Sequence, residues 1–148
     1  MKPITVLFLC TGNSARSIMS EAYLNAKGGG RFAAYSAGSR PTGAVNPLAL
    51  QLLEQRSIST KGLASKSWNE FAKPGAPQFN FVITVCDSAA AESCPVWPGH
   101  PSRMHFSIPD PAAVEGDEAR KREAFEHAFS TLAAHIDRFV SAAAIQAP

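Results

Sequence analysis

Two apolar runs, residues 4–10 and 79–86, constrain the fold more than any other feature of the sequence. Both consist mainly of β-forming residues and are apolar at most positions instead of at alternate ones, which is typical of strands buried on both faces. Strands of this kind occur in parallel sheets that are covered by helices above and below. Each run also ends in a cysteine, Cys10 and Cys86 respectively.

The segments between and after these runs carry the patterns of helices. Residues 15–30 predict a helix that the last three glycines stop, with an apolar stripe formed by Ile18, Met19, Ala22, Tyr23 and Ala26. Residues 45–56 predict a second helix, with Asn46 as N-cap and Pro47 at its first position. A long terminal helix follows Asp117 as N-cap, and its apolar face comprises Phe125, Phe129, Leu132, Ile136, Phe139 and Val140.

Residues 31–38 and 103–108 predict two further strands, so strands and helices alternate along the chain. We therefore predict an α/β fold, a three-layer sandwich with a central four-stranded parallel sheet. No repeat, low-complexity segment or linker interrupts the sequence, and its 148 residues suit one hydrophobic core. We expect residues 1–148 to form a single domain.

Charge and hydrophobicity exclude two classes of partner. A net charge of +2 without a basic cluster excludes nucleic acid, and no apolar run approaches the ~20 residues of a membrane span. The apolar run at 4–9 is also shorter than that of a signal peptide, and no small-residue cleavage site follows it. We therefore predict a cytoplasmic protein without nucleic-acid or membrane partners. Three cysteines in such a compartment indicate buried thiols, metal ligands or redox chemistry rather than a disulfide scaffold.

The predicted topology brings distant residues to one edge of the sheet. Right-handed crossovers place the carboxyl ends of all parallel strands on the same side, where α/β proteins bind their ligands. Cys10 ends the first strand, Cys86 ends the third, and Asp110 follows the fourth. We expect these three residues to lie near one another.

The segment CTGNSAR, residues 10–16, has the composition of an anion-binding loop. A loop between a strand and a helix N-terminus presents backbone N–H groups to a common centre, and the helix dipole adds positive charge. Gly12 and Asn13 tolerate the unusual dihedrals of such a loop, and the planar guanidinium of Arg16 can hold two oxygens of a tetrahedral oxyanion. The positive potential of these N–H groups, the helix dipole and Arg16 also stabilises a thiolate, so we predict a lowered pKa for Cys10. We further predict that Ser17 donates a hydrogen bond to the Cys10 sulfur.

Structural alternatives exist for each of these residues. Buried strand ends often carry an inert thiol, which is the alternative for Cys10 and Cys86, and Cys94 could be an incidental loop thiol. Asp-Pro is a common turn dipeptide, which is the alternative for Asp110. For Cys10, the strand before it, the helix after it and the arginine and serine that follow favour a chemical role.

The segment VLFLCTGNSARSIMSEA resembles the active-site loop of the low-molecular-weight protein tyrosine phosphatase fold, and most closely that of the arsenate reductases built on it. The resemblance extends over nearly the whole chain through YSAGSRP, GLASKSWNEF, FVITVCDSAAAESCPVWPG and IPDPA. It implies that Cys10 is the nucleophile and that Asp110 is the general acid. The residues implied to bind the oxyanion are Thr11, Gly12, Asn13, Ser14, Ala15, Arg16 and Ser17.

The additional cysteines distinguish a reductase from a phosphatase within this family. A phosphatase needs Cys10, Arg16 and Asp110 together with an aromatic wall, yet Ala112 and Ala113 follow the Asp-Pro pair. The resemblance implies that Cys86 attacks an arsenate adduct on Cys10 and that Cys94 then attacks Cys86. We therefore predict an arsenate reductase, with a phosphatase acting on phosphomonoesters as the alternative and a non-catalytic oxyanion or redox sensor as a third class.

Residues 87–94 predict a short helix between the second and third cysteines. Eight helical residues span about 12 Å, whereas a disulfide needs Cα atoms within about 7 Å. Our hypothesis is that this helix unwinds when Cys94 reaches Cys86.

The implied partners are arsenate, phosphate or sulfate as competing oxyanions, and a thiol reductant of the thioredoxin or glutathione/glutaredoxin type. We predict no cofactor and no metal ion, since His100 and His105 lack paired ligand spacing. Some family members bind potassium beside the loop at positions that match Asn13, Glu21 and Ser36. The aspartate expected at a fourth position is Ser65 here.

Overall fold

The computed structural model describes residues 2–91, 97 and 99–146. The strands are β1 (Ile4–Leu9), β2 (Phe32–Ala37), β3 (Phe81–Thr84) and β4 (Ser102–His105), and the helices are α1 (Arg16–Lys27), α2 (Pro47–Gln55), α3 (Asp87–Ala91) and α4 (Glu118–Gln146). Short 3-10 turns lie at Trp68–Phe71 and Pro111–Ala113. All neighbouring strands are parallel, in the order β2-β1-β3-β4. The predicted fold class, a four-stranded parallel sheet flanked by helices, is confirmed.

The central strand β1 is buried on both faces, as its apolar run predicts. Val6 and Phe8 belong to the larger core cluster, which the apolar face of α4 completes with Phe125, Phe129, Leu132, Ile136 and Phe139. Leu7 and Leu9 belong to a second cluster on the opposite face, together with Phe71, Phe79, Val82 and Trp97. Full burial of one such side chain contributes about 1.5–3 kcal/mol, so both faces of β1 anchor it in the core.

Two predicted helix caps are confirmed. The side chain of Asn46 accepts from the N–H of Leu48 at 2.9 Å, and that of Asp117 accepts from the N–H of Arg120 at 2.9 Å. The predicted apolar stripe of α1 is wrong at its last position, because Ala26 is exposed. Leu24 is fully buried instead, since α1 ends at Lys27 and its last turn leaves the core.

Strand β4 differs from the other three in burial. All four of its residues are exposed, and it forms one edge of the sheet beside β3. This explains its weak strand pattern in the sequence, because an edge strand packs less apolar surface than a central one. Within the described residues, no helix combines the length and apolar character needed to cross a lipid bilayer.

The strand order reverses between β1 and β3, which are direct neighbours. Their register pairs Leu9 with Thr84, and the N–H of Val85 bonds to the carbonyl of Leu9 at 2.9 Å. Ligands of parallel α/β sheets bind at such a reversal point, beyond the carboxyl ends of the strands. Cys10 and Cys86 therefore follow neighbouring strands at the expected edge.

Candidate active site

The loop between β1 and α1 turns its carbonyl groups away from Cys10. The carbonyls of Thr11, Gly12 and Ser14 accept hydrogen bonds at 2.9, 3.0 and 2.8 Å from backbone N–H groups, and the donors are Arg40, Thr42 and Asn46. In a planar trans peptide the N–H points opposite to the carbonyl, so the following N–H groups face the inner side of the loop. The N–H of Gly12 accordingly donates to the Cys10 thiol.

Asn13 is the strained residue of this loop, as predicted. It has a positive φ of 45° and is fully buried. Its amide nitrogen donates to Ser17 Oγ at 2.8 Å, and its amide oxygen accepts from the N–H of Lys66 at 2.8 Å. A donation from Ser17 to the Cys10 sulfur stays a prediction.

The conformational role predicted for Gly12 is wrong, because the residues with positive φ include Asn13 but not Gly12. The glycine that the loop needs is Gly38, which the sequence analysis missed. A Cβ at Gly38 would lie 2.4 Å from the carbonyl oxygen of Thr11 and 2.6 Å from that of Cys10. A glycine directly after a predicted strand at the ligand-binding edge is the pattern that indicates such a close approach.

Arg16 and Asp110 lie next to each other at the mouth of the loop. One guanidinium nitrogen of Arg16 donates to the carbonyl of Ile108 at 3.1 Å, and the other lies 3.6 Å from Asp110 Oδ2. Asp110 also caps its own turn, since its Oδ1 accepts from the N–H of Ala112 at 3.0 Å. Both interpretations of Asp110, the turn residue and the group close to Arg16, are therefore compatible with one conformation.

No side chain caps the N-terminus of α1, because the cap position is Ala15. A serine or aspartate there would satisfy the first N–H groups of the helix from within the chain. With alanine, these groups can bind an anion instead, and the helix dipole favours negative charge at this point.

The two candidate thiols, Cys10 and Cys86, are hydrogen-bonded to each other. Both are buried, and the thiol of Cys10 donates a hydrogen bond to the sulfur of Cys86. Cys86 Sγ also accepts from the N–H of Thr11 at 3.4 Å and from the N–H of Ala89, in α3, at 3.4 Å. Among the described residues, Cys86 Sγ thus accepts from the thiol of Cys10 and from two backbone N–H groups, whereas Cys10 Sγ accepts from the N–H of Gly12.

These donors place the negative charge of the pair on Cys86. The hydrogen bond from Cys10 lowers the pKa of Cys86 to about 5, against burial, and the N–H groups of Ala89 and Thr11 act in the same direction. The pKa of Cys10 is raised, because its thiol donates to Cys86 and burial disfavours the anion, although Arg16 acts in the opposite direction. The lowered pKa predicted for Cys10 is thus wrong for the anion-free site, since the prediction did not include Cys86.

A polar cluster joins α3 to β4 beside Cys86. His105 Nε2 lies 2.9 Å from Asp87 Oδ1, and Ser107 Oγ donates to the same oxygen at 3.2 Å. The other ring nitrogen of His105 lies 2.7 Å from Thr84 Oγ1. His105 therefore binds side chains, and among the described residues no group of three or more His, Cys, Asp or Glu side chains could hold a metal. Cys94 lies outside the described residues.

The positions that match a potassium site do not fit a cation. Ser36 Oγ donates to Glu21 at 2.5 Å, and Asn13 Oδ1 is already bound to the N–H of Lys66. Ser65 is neutral, and its hydroxyl donates to the carbonyl of Gly12 at 3.1 Å. The pKa of Glu21 is raised by burial, which further weakens it as an anionic ligand. The negative charge of an aspartate expected at position 65 is therefore missing.

Comparisons with a family model and with known proteins agree on the family of this chain. Residues 5–147 match the low molecular weight phosphotyrosine protein phosphatase family. The chain is 34% identical over 140 residues to an arsenate reductase of Bacillus licheniformis, covering 94% of this chain and 96% of that protein.

Two solved structures share the fold. A thioredoxin-dependent arsenate reductase of Corynebacterium glutamicum has a TM-score of 0.66 at 22% identity, over 95% of this chain and 64% of that one. The tyrosine phosphatase Wzb of Escherichia coli K30, in complex with sulphate, has a TM-score of 0.73 at 21% identity, over 93% and 96%. The chain belongs to the low molecular weight phosphotyrosine protein phosphatase family.

Proposed function

We propose that this protein is an arsenate reductase that converts arsenate to arsenite. The observation that carries the proposal is the hydrogen-bonded pair of Cys10 and Cys86 at one end of an anion-binding loop. Hydrolysis of a phosphoester needs one thiol, whereas a two-electron reduction needs two thiols within reach of each other. The similarity to the Bacillus licheniformis protein supports the same activity.

Substrate binding uses residues 11–17 and the guanidinium of Arg16. The inward N–H groups surround a tetrahedral oxyanion, and Arg16 exchanges its contact with Ile108 for two anion oxygens. Phosphate and sulfate have the same shape and charge as arsenate, so we expect them to compete for the loop. The entering dianion also supplies a base that accepts the proton of Cys10.

The first chemical step joins Cys10 to arsenic. The sulfur forms an S–As bond, one As–O bond breaks, and the departing oxygen leaves as water after it receives a proton from Asp110. Asp110 is suited to this role because its carboxyl group lies at the mouth of the loop beside Arg16.

The second step transfers two electrons to arsenic. The Cys86 thiolate attacks Cys10 Sγ, an S–S bond forms, and the electron pair of the breaking S–As bond stays on arsenic. Arsenic(V) becomes arsenic(III) and departs as arsenite after protonation. Both thiols are oxidised to one Cys10–Cys86 disulfide, which balances the two electrons.

Regeneration uses Cys94 and an external thiol. Attack of Cys94 on Cys86 releases Cys10 and leaves a Cys86–Cys94 disulfide, which a dithiol such as thioredoxin, or glutathione with glutaredoxin, reduces. The thioredoxin dependence of the Corynebacterium glutamicum structure supports the first of these partners. We also propose that the helix after Cys86 unwinds in this step and that the enzyme works in the cytoplasm.

A phosphatase is the second candidate, because phosphatases of this family share the loop. The position after the Asp-Pro pair argues against phosphotyrosine as the main substrate. Ala112 and Ala113 are exposed and offer no ring to hold an aromatic substrate. We therefore expect phosphomonoester hydrolysis to be weak compared with arsenate reduction.

The test measures arsenite formed from arsenate with a thioredoxin or glutaredoxin regenerating system. The wild-type protein should form arsenite, whereas arsenite formation by Cys10→Ser and Cys86→Ser should fall to background. The control Ser88→Ala changes an exposed residue of α3 and should form arsenite at nearly the wild-type rate. Phosphatase activity measured on the same variants should survive in Cys86→Ser but not in Cys10→Ser. Arsenite formation that is absent in wild type, or unchanged in Cys86→Ser, would contradict the proposal.

A further inference from the structure

A second loop, residues 64–67, supports the anion-binding loop from its outer side. Ser65 Oγ donates to the carbonyl of Gly12 at 3.1 Å and accepts from the N–H of Gly43 at 3.2 Å. The next residue, Lys66, contributes only backbone atoms, since its N–H binds Asn13 Oδ1 and its carbonyl accepts from Gly38 at 2.9 Å. Ser65 is thus the residue of this loop whose side chain reaches the backbone of the anion-binding loop.

The carbonyl of Gly12 receives two donors, the N–H of Thr42 at 3.0 Å and the hydroxyl of Ser65. This carbonyl belongs to the peptide that also carries the N–H of Asn13. Because the peptide is planar and trans, two donors that hold the carbonyl outward also hold that N–H inward, toward the oxyanion. The left-handed conformation of Asn13, with φ 45°, is strained, so the peptide needs such support.

A competing orientation explains why the second donor matters. If the Gly12–Asn13 peptide rotated, its carbonyl oxygen would face the bound oxyanion and repel it. Only a donor can resist this rotation, because the carbonyl itself is an acceptor. Ser65 meets this need with a neutral hydroxyl that is held in place by its second bond to Gly43.

We propose that Ser65 is a positioning residue of the oxyanion site, which orients the Gly12–Asn13 peptide so that its N–H binds arsenate, phosphate or sulfate. Ser65 does not contact the anion and takes no part in the thiol chemistry. The inference rests on the proposed function only in that the loop is taken to bind tetrahedral oxyanions.

The experiment is calorimetric titration of inorganic phosphate into the reduced protein, residues 1–148. Loss of one hydrogen bond of ordinary net strength predicts that Ser65→Ala raises the Kd by about 3- to 10-fold. The matched control is Ser67→Ala in the same loop. The hydroxyl of Ser67 accepts from the N–H of Asn69 at 3.1 Å and caps the turn at Trp68–Phe71, so its loss removes a similar bond outside the anion-binding loop.

Ser65→Thr and Ser65→Val form a second pair, which separates the hydroxyl from side-chain volume and keeps the test valid if Ser65→Ala does not fold. We expect Ser65→Thr to bind phosphate more tightly than Ser65→Val, while Ser67→Ala stays within two-fold of wild type. With arsenate as substrate, the change should appear in KM and leave kcat nearly unchanged. Thermal unfolding of the anion-free variants separates this effect from a loss of stability, because Ser65→Ala and Ser67→Ala should melt at similar temperatures.

Equal phosphate affinity in wild type and Ser65→Ala, or an equal loss in Ser67→Ala, would overturn the inference. These results are distinguishable from failure of the proposed function. Phosphate binding that depends on Ser65, in a protein that forms no arsenite, would refute the reductase and leave Ser65 as a positioning residue.

Discussion

The charge of the thiol pair lies on Cys86 because the thiol of Cys10 and the N–H groups of Thr11 and Ala89 donate to its sulfur. Each of the two thiols depends on the other, since their shared hydrogen bond is the largest influence on both pKa values. The pair therefore titrates as a unit, and its first proton leaves near pH 5. At neutral pH, the anion-free protein then has a thiolate at Cys86 and a thiol at Cys10.

Thiolate absorbance at 240 nm measures this directly. The reduced, anion-free protein should show a step of about one thiolate with a midpoint near pH 5, and the step should vanish in Cys86→Ser. It should move toward the ordinary cysteine pKa in Cys10→Ala, because alanine cannot donate the hydrogen bond that Cys10 supplies. A step near pH 5 that persists in Cys86→Ser would place the charge on Cys10 instead.

The same pair makes the free energy of unfolding depend on pH. Because the folded pKa of Cys86 is about 5 and its ordinary value is 9.0, its contribution is complete above pH 9 and is lost as the pH falls toward 5. Cys10 acts oppositely, since its raised pKa stabilises the fold below pH 9 and this contribution is lost above pH 9. Urea unfolding at pH 5, 7 and 9 should show that the free energy of unfolding rises more steeply with pH in wild type than in Cys86→Ser. An equal rise with pH in the two proteins would contradict this prediction.

Gly38 illustrates a residue whose role is purely steric. Gly38→Ala would press a Cβ against the carbonyl oxygens of Thr11 and Cys10, which cannot move without displacing the anion-binding loop. We expect a loss of about 1–3 kcal/mol in unfolding free energy and a large loss of phosphate affinity. Gly62→Ala, at a position with open space and positive φ, is the control that destabilises without touching the loop. Phosphate binding unchanged in Gly38→Ala would show that the loop tolerates the shift.

At the level of elements, α3 connects the thiol pair to the edge strand β4. Its first residue, Asp87, binds His105 and Ser107, and its Ala89 N–H binds Cys86. A short helix has little intrinsic stability, so these side-chain bonds have a large share in holding the described residues of α3, Asp87–Ala91. The bond between His105 and Asp87 therefore opposes unwinding of α3 from its first residue.

Asp87→Asn tests this connection. The hydrogen bond from His105 lowers the pKa of Asp87, so the ionised carboxylate stabilises α3 above the ordinary pKa of 3.8, and this contribution is lost as the pH falls through the folded pKa. The variant should show faster amide exchange at residues 87–91 and faster formation of the second disulfide at neutral pH. Asp117→Asn changes the cap of α4 in the same chemical way and should leave α3 unchanged. Equal exchange in Asp87→Asn and wild type would refute the connection.

The elements that could be predicted from the sequence are those whose pattern is local. The apolar runs predict β1 and β3, and two cap residues predict the starts of α2 and α4. The support of the anion-binding loop could not be predicted, because backbone groups of residues 38–46 supply most of it and any side chain permits such bonds. The pKa of Cys10 was predicted wrongly for a related reason, since the prediction considered only the loop and Arg16 and left out Cys86, which follows the neighbouring strand.

For the whole molecule, the anion-binding loop is a junction of distant segments. Backbone or side-chain bonds join it to the loop after β2, to Ser65 and Lys66, to the end of β3 through Cys86, and to Ile108 through Arg16. An oxyanion that fixes this loop therefore stabilises contacts from most of the chain. Binding free energy should then appear as stability of the entire fold rather than of one element.

Thermal unfolding with and without phosphate tests both this coupling and the expected single domain of residues 1–148. Phosphate at 100 times its Kd should add about 2.7 kcal/mol of stability, which for a protein of this size raises the Tm by roughly 5–11 °C. The reduced protein should unfold in one calorimetric transition whose midpoint rises with the logarithm of phosphate concentration, and Arg16→Ala should respond much less. Two transitions, of which phosphate moves only one, would mean that the loop and the remainder of the chain unfold separately and would contradict the single domain.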